Sequence, residues 1–113
     1  MIVYEERYLY ISTFKKINNL VKEKSCRKDL DGKSLMQHVF SVNNPILKFN
    51  ELSTQTDRDE QEGFMYLFSG AMLGIRNPKG HENIVQNDMY KALEYLMLAS
   101  LLCKRLEETK AVN

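Results

Sequence analysis

Arg76 and His81 are the two side chains of this sequence whose types and spacing point most clearly to joint chemistry. A guanidinium grips phosphate oxygens through a two-pronged fork of N–H donors. An imidazole gains and loses a proton near neutral pH. The two stand in the segment Gly74-Ile75-Arg76-Asn77-Pro78-Lys79-Gly80-His81-Glu82. Pro78 biases Asn77 away from helical angles, so a helix running into this segment is expected to stop near Arg76. Asn77-Pro78-Lys79-Gly80 then fits a type I turn, with Asn first, Pro second and Gly fourth. Such a turn can fold His81 back beside Arg76 and place Lys79 where it adds a phosphate contact. Spacing alone also admits a plainer reading, in which Arg76 caps helix carbonyls and His81 sits in solvent.

Other candidate motifs fail on chemistry or context. Gly32-Lys33-Ser34 looks like the end of a phosphate-binding loop, but Arg27 stands where its first glycine belongs and no strand precedes it. It reads better as the capped start of a helix. Cys26, His38, His81 and Cys103 contain no closely spaced pair of the kind zinc sites use, and no carboxylate cluster suits magnesium. The expectation is therefore no metal and no cofactor. His38 reads as structural, and Met36, Met65, Met72, Met89 and Met97 as core filler.

Four helical segments position these residues, and no convincing strand is legible. The first runs from about Val3 to Lys24, with Tyr10, Phe14, Ile17 and Val21 on one stripe. A short second helix covers about Lys33 to Phe40, followed by a long connection from Ser41 to Thr56, broken at Asn43-Asn44-Pro45. The third starts with Asp57 as its cap and Glu60 three residues on, and runs to about Asn77. Phe64, Phe68, Ala71 and Ile75 form its apolar stripe. Gly63, Gly70 and Gly74 form a second stripe, which suggests close approach of another helix. Glu62, Ser69 and Arg76 share the remaining sector, so Arg76 is expected on the wettest side. The fourth helix, about Asp88 to Thr109, is apolar nearly all round between Tyr95 and Cys103, which predicts burial on most sides and a subunit interface as extra cover.

Composition bounds the function without naming it. A chain of 113 residues, 43% hydrophobic and 27% charged, fits one globular domain, here read as residues 1–113. Sixteen basic against fifteen acidic residues leave +1, so nucleic-acid binding would need local geometry and not bulk charge. The first residues turn acidic at once, Cys26 and Cys103 show no pairing pattern, and no apolar run is long enough to span a bilayer. These features lead to the expectation of a reduced, cytoplasmic protein without membrane attachment.

At Arg76 and His81, with four residues between them just past a long helix, the sequence resembles the motif of the HEPN superfamily (higher eukaryotes and prokaryotes nucleotide-binding), and the polar Asn77 after the arginine fits as well. More narrowly, the chain is similar to the conserved hypothetical Ymh family. The matching stretches are LDGKSLM (30–36), FSVNNPIL (40–47), DEQEGFMYLFSGAMLGIRNPKGHE (59–82) and KALEYLMLASLLCKRLEE (91–108). The resemblance implies an all-α, four-to-five-helix bundle that dimerises with the motif near the twofold axis. It also implies a metal-independent endoribonuclease of toxin–antitoxin, phage-defence or RNA-processing systems. On this sequence Arg76 and His81 would be catalytic and Asn77 supportive, with RNA as substrate and an antitoxin or defence protein as a possible partner. One departure stands out. HEPN toxins silenced by a nucleotidyltransferase antitoxin carry a tyrosine two places after the histidine, where this chain has Asn83.

Overall fold

A stripe of four side chains organises the first helix. Tyr10, Phe14, Ile17 and Val21 recur at helical spacing, and α1 (Ile2–Ser25) buries all four against the rest of the chain. The computed structural model describes residues 2–77 and 89–112. After α1, Cys26 takes a left-handed conformation (φ 59°), which turns the chain towards α2 (Gly32–Val39). The helix α3 (Gln55–Ala71) continues without interruption into a π-helical turn, Met72–Arg76, and α4 (Met89–Glu108) closes the bundle. Four packed helices agree with the all-α bundle expected from the sequence.

Two features depart from the sequence reading at the connections. Leu47–Lys48 (β1) and Lys110–Ala111 (β2) pair antiparallel, Leu47 opposite Ala111, and the Val112 amide extends the ladder to the Ile46 carbonyl at 2.9 Å. Each strand is two residues long, too short to show a period of two. At the start of α3 the cap is Thr54, not Asp57. The Thr54 hydroxyl accepts the Asp57 amide at 3.0 Å, while the Asp57 carboxylate reaches back to the Ser53 amide and hydroxyl.

The core draws on all four helices, and its aromatic part lies where α2, α3 and the α2–α3 connection meet. Phe40, Phe49, Phe64 and Phe68 form an aromatic cluster, with centroids 4.7 Å apart for Phe40–Phe68 and 5.0 Å for Phe40–Phe49. Gln61 sits fully buried at the edge of that cluster. Its amide oxygen accepts the Phe49 N–H at 2.9 Å, and its amide nitrogen donates to the carbonyls of Phe40 and Leu47, both at 3.1 Å. The side chain thus meets backbone groups of the α2–α3 connection, which satisfies its own burial.

Along the other side of the bundle, α1 lies beside α4. Tyr10 stacks on Tyr95 with centroids 4.5 Å apart. Near the other end, the Lys24 ammonium donates to the carbonyls of Leu106 (2.8 Å), Glu107 (3.3 Å) and Thr109 (2.8 Å). Matching early to early and late to late positions, the two helices run parallel.

Among the described residues, the expected burial of α4 on most sides and the close neighbour expected at the glycine stripe of α3 are not met. On α4, Ala99, Leu102 and Leu106 are buried, but Leu93, Leu101 and Met97 are exposed, Met97 to 69%. On α3 and its π turn, Tyr66, Leu67 and Leu73 are exposed as well. Gly63, Gly70 and Gly74 share that outer face, and a side chain added at any of them would meet no heavy atom within 4 Å. Among the described residues, then, no helix packs on the glycine stripe. No helix of the described residues is long and apolar enough to cross a membrane.

Candidate functional site

Arg76 is the last residue of the π turn, and it points inward. Its side chain is 14% exposed, against the sequence expectation that it lies on the wettest side of α3. The reason is Gln61. Helical spacing places Gln61 and Met72 at the middle of the buried face, with Phe68 to one side and Arg76 on the shoulder of the other. An apolar stripe drawn through Phe64, Phe68, Ala71 and Ile75 alone sets that face too far round. Ser69, grouped with Arg76 in the polar sector, is likewise buried and bonds back to the Met65 carbonyl at 2.7 Å. The wider π turn, which advances each residue by a smaller angle, carries Arg76 further inward.

A carboxylate from another element receives it. Arg76 Nη1 lies 3.1 Å from Asp31 Oδ2, and Arg76 Nε donates to the Asn77 side-chain oxygen at 3.2 Å. Asp31 Oδ1 accepts from Asn18 Nδ2 at 2.7 Å and lies 3.2 Å from the Lys22 ammonium. The Asn18 side-chain oxygen, Oδ1, accepts the backbone N–H of Gly32 at 3.0 Å. Burial pushes the Asp31 carboxyl upward, but the hydrogen bonds from Asn18 and Lys22 and the Arg76 charge outweigh it and hold the group below its usual value. Three elements, α1, the start of α2 and the end of the π turn, thus converge on one guanidinium. With Lys22 and Arg76 against Asp31, the cluster keeps one net positive charge, which suits an anion.

Of the sequence-derived site residues, Arg76 and Asn77 stand together here. Lys79 and His81, with the turn that would fold His81 towards Arg76, lie outside the described residues. Asn18, Lys22 and Asp31 were not singled out from the sequence. Their signal was faint: a polar residue beside the α1 stripe, and an Asp-Gly pair that could equally be an ordinary helix start.

Three other clusters invite comparison. Arg27 forks onto Asp29 (2.9 and 2.7 Å) and gives its remaining arm to His38 Nε2 at 2.7 Å. A guanidinium only donates, so this contact takes His38 as the neutral ring protonated at Nδ1. The Arg27 fork holds Asp29 down at about 2, and the whole set is exposed and mutually satisfied. Arg105 lies between the Phe49 and Phe64 rings, 5.2 and 4.6 Å from their centroids, and pairs with Glu60 and Glu108. A cavity of about 470 Å³ between α1 and α4 is lined by Leu20, Glu23, Lys24, Cys103, Leu106 and Glu107. Burial, with some help from Glu107, pushes the Cys103 thiol up and makes it a poor nucleophile. Its lysine is already committed to carbonyls. Arg105 keeps two donors without a hydrogen bond, but both are buried, and each nitrogen of Arg27 is engaged by Asp29 or His38.

The helical bundle and the arginine cluster define a small all-α domain with a partly buried cationic centre where α1, α2 and the end of α3 meet. The chain belongs to the Hypoth_Ymh family, described as proteins of unknown function, whose model matches residues 8–106. No curated protein and no solved structure matches it significantly.

Proposed function

We propose that the protein is a metal-independent endoribonuclease of the HEPN type, working as a homodimer in a toxin–antitoxin or phage-defence setting in the cytoplasm. The observation that carries this reading is the anchored guanidinium of Arg76, held by Asp31 and Asn77 at the end of the third helix, immediately before the segment that bears His81. In RNA the 2′-hydroxyl attacks the adjacent phosphorus, a 2′-O–P bond forms, and the P–O5′ bond breaks. The 2′-hydroxyl proton goes to a base, and the leaving 5′-oxygen takes a proton from an acid. Charge gathers on the non-bridging oxygens, where Arg76 stabilises it, with Lys79 as a further phosphate contact. His81 suits the proton transfers near neutral pH. One imidazole does not easily serve as base and acid at once, so two copies facing each other across a twofold divide the work.

The exposed apolar face supports the dimer. Tyr66, Leu67 and Leu73, on the helix that carries glycines with open space in front of them, and Met97 and Leu101 on α4 are each 45% exposed or more. The same exposed residues favour a second reading, a catalytically inactive helical dimer that binds RNA, nucleotide or a partner protein. Incubating the protein with total RNA and with a defined oligonucleotide separates the two. Cleavage that survives a chelator, leaves a 2′,3′-cyclic phosphate, stops at a single 2′-deoxy sugar and vanishes in His81→Ala supports the nuclease. Equal cleavage by His81→Ala defeats it, and light scattering that gives a monomer near 13 kDa at micromolar concentration defeats the dimer.

A further inference from the structure

We infer that Asp31 and Gly32 are positioning residues for Arg76, forming a cradle that fixes the direction of its guanidinium. Asp31 occupies the position before the first residue of α2, where an aspartate ordinarily bonds the free amides of the first helical turn. Here it makes no such bond. Its carboxylate is spent across the fold, on Asn18 and Lys22 through Oδ1 and on Arg76 through Oδ2. A residue that forgoes its local role for a long-range contact marks a place where local structure yields to another demand.

Gly32 meets the same demand from the other side. Its φ is +60°, and a Cβ built on it would lie 2.9 Å from Arg76 Nη2, closer than real contacts allow. The guanidinium therefore rests on the bare Cα of Gly32. Asn18, 2% exposed, ties the two halves of the cradle, because its amide donates to Asp31 and accepts from Gly32 N–H. The guanidinium is thus held at Nη1 by Asp31, at Nε by Asn77 and at Nη2 by the absence of a side chain. A planar fork placed this way offers its remaining N–H groups in one fixed direction, which two-pronged recognition of a phosphate requires.

That these residues orient Arg76 stands on the geometry alone. That the orientation matters for cleavage rests on the nuclease reading above. The test uses the full chain with Asp31→Asn and Gly32→Ala, read by the Arg76 side-chain ¹H–¹⁵N signal and by cleavage of a defined RNA oligonucleotide. The signal is assigned through its loss in Arg76→Lys. Asp31→Asn keeps a capping residue at the position and removes no cap bond, so its melting temperature should stay within about 3 °C of the parent. The expected result is that the Arg76 signal shifts and its guanidinium rotates faster in both variants. Cleavage is expected to fall about tenfold or more in kcat with KM little changed, as for a misplaced catalytic contact, and Asp31→Glu should recover part of it. An Arg76 signal identical in Asp31→Asn and parent overturns the inference, whatever the activity. A shifted signal with undiminished cleavage also overturns it. A shifted signal in a protein whose parent form cuts no RNA supports the cradle and overturns only the nuclease reading.

Discussion

Arg76 and Arg105 are both mostly buried, at 14% and 20% side-chain exposure, yet the chain surrounds them in opposite ways. Arg105 is enclosed by matter. Two phenylalanine rings face it, and Glu60 and Glu108 take its charge. Its Nε finds no acceptor among the described residues, and its Nη2 sits 3.1 Å from Glu60 without a well-directed hydrogen bond. The π-faces compensate for those donors. Arg76 is enclosed by direction instead, with one carboxylate, one amide and a glycine that leaves space. A guanidinium packed between rings is a structural part, and one aimed from a cradle is free to meet something else. Exposure does not separate them, but the chemistry of the neighbours does.

The largest expected effect separates the two by activity. Arg76→Ala should lower RNA cleavage about a hundredfold or more, as loss of a transition-state contact does. It should change the unfolding free energy by less than about 1 kcal/mol, because its partner Asp31 is half exposed. Gel assays alongside urea titration read both. Arg105→Ala should do the reverse, costing about 2 kcal/mol through two ring contacts and a packed stem, or roughly 10 °C in melting temperature. Its cleavage per folded molecule should match the parent; a hundredfold loss there would erase the distinction. Phe64→Leu, which keeps bulk but removes the nearer ring face, should cost about 1 kcal/mol in the same unfolding experiment.

The smallest effect is electrostatic. Asp31 titrates below its unfolded value of about 3.9. Its stabilising contribution is therefore complete above that pH and fades as the pH falls through the lower folded value. Carboxyl carbon shifts followed by NMR should show this titration moving upward in Arg76→Ala and staying put in Arg105→Ala. An unmoved titration in Arg76→Ala would mean that the ion pair does not form in solution.

Much of this was legible in the residues. The α1 stripe is all apolar and one-sided, so Tyr10, Phe14, Ile17 and Val21 read directly as core. Arg76 was legible as a chemical group, and Asn77 with it. Its orientation was not, because the inward face of α3 is centred on Gln61, and a polar residue looks like surface until its backbone partners are known. The same blindness hid Asn18. The glycine stripe was legible as a face, but among the described residues nothing covers it, since spacing records a face and not what covers it. Two-residue strands leave no pattern at all.

The parallel course of α1 and α4 has an electrostatic consequence. Peptide dipoles in neighbouring parallel helices add in the same sense, so the negative poles of the two helices lie side by side near Ser25 and Glu108. An antiparallel pair would set a positive pole against each negative one. Of the two lysines in the last turn of α1, Lys22 is turned to Asp31, and Lys24 holds the carbonyls at and just past the end of α4. It faces both poles at once. Acetylation of that one lysine would remove the charge shared by the two poles and most of its donors. The tie between the two helix ends therefore runs through the Lys24 side chain.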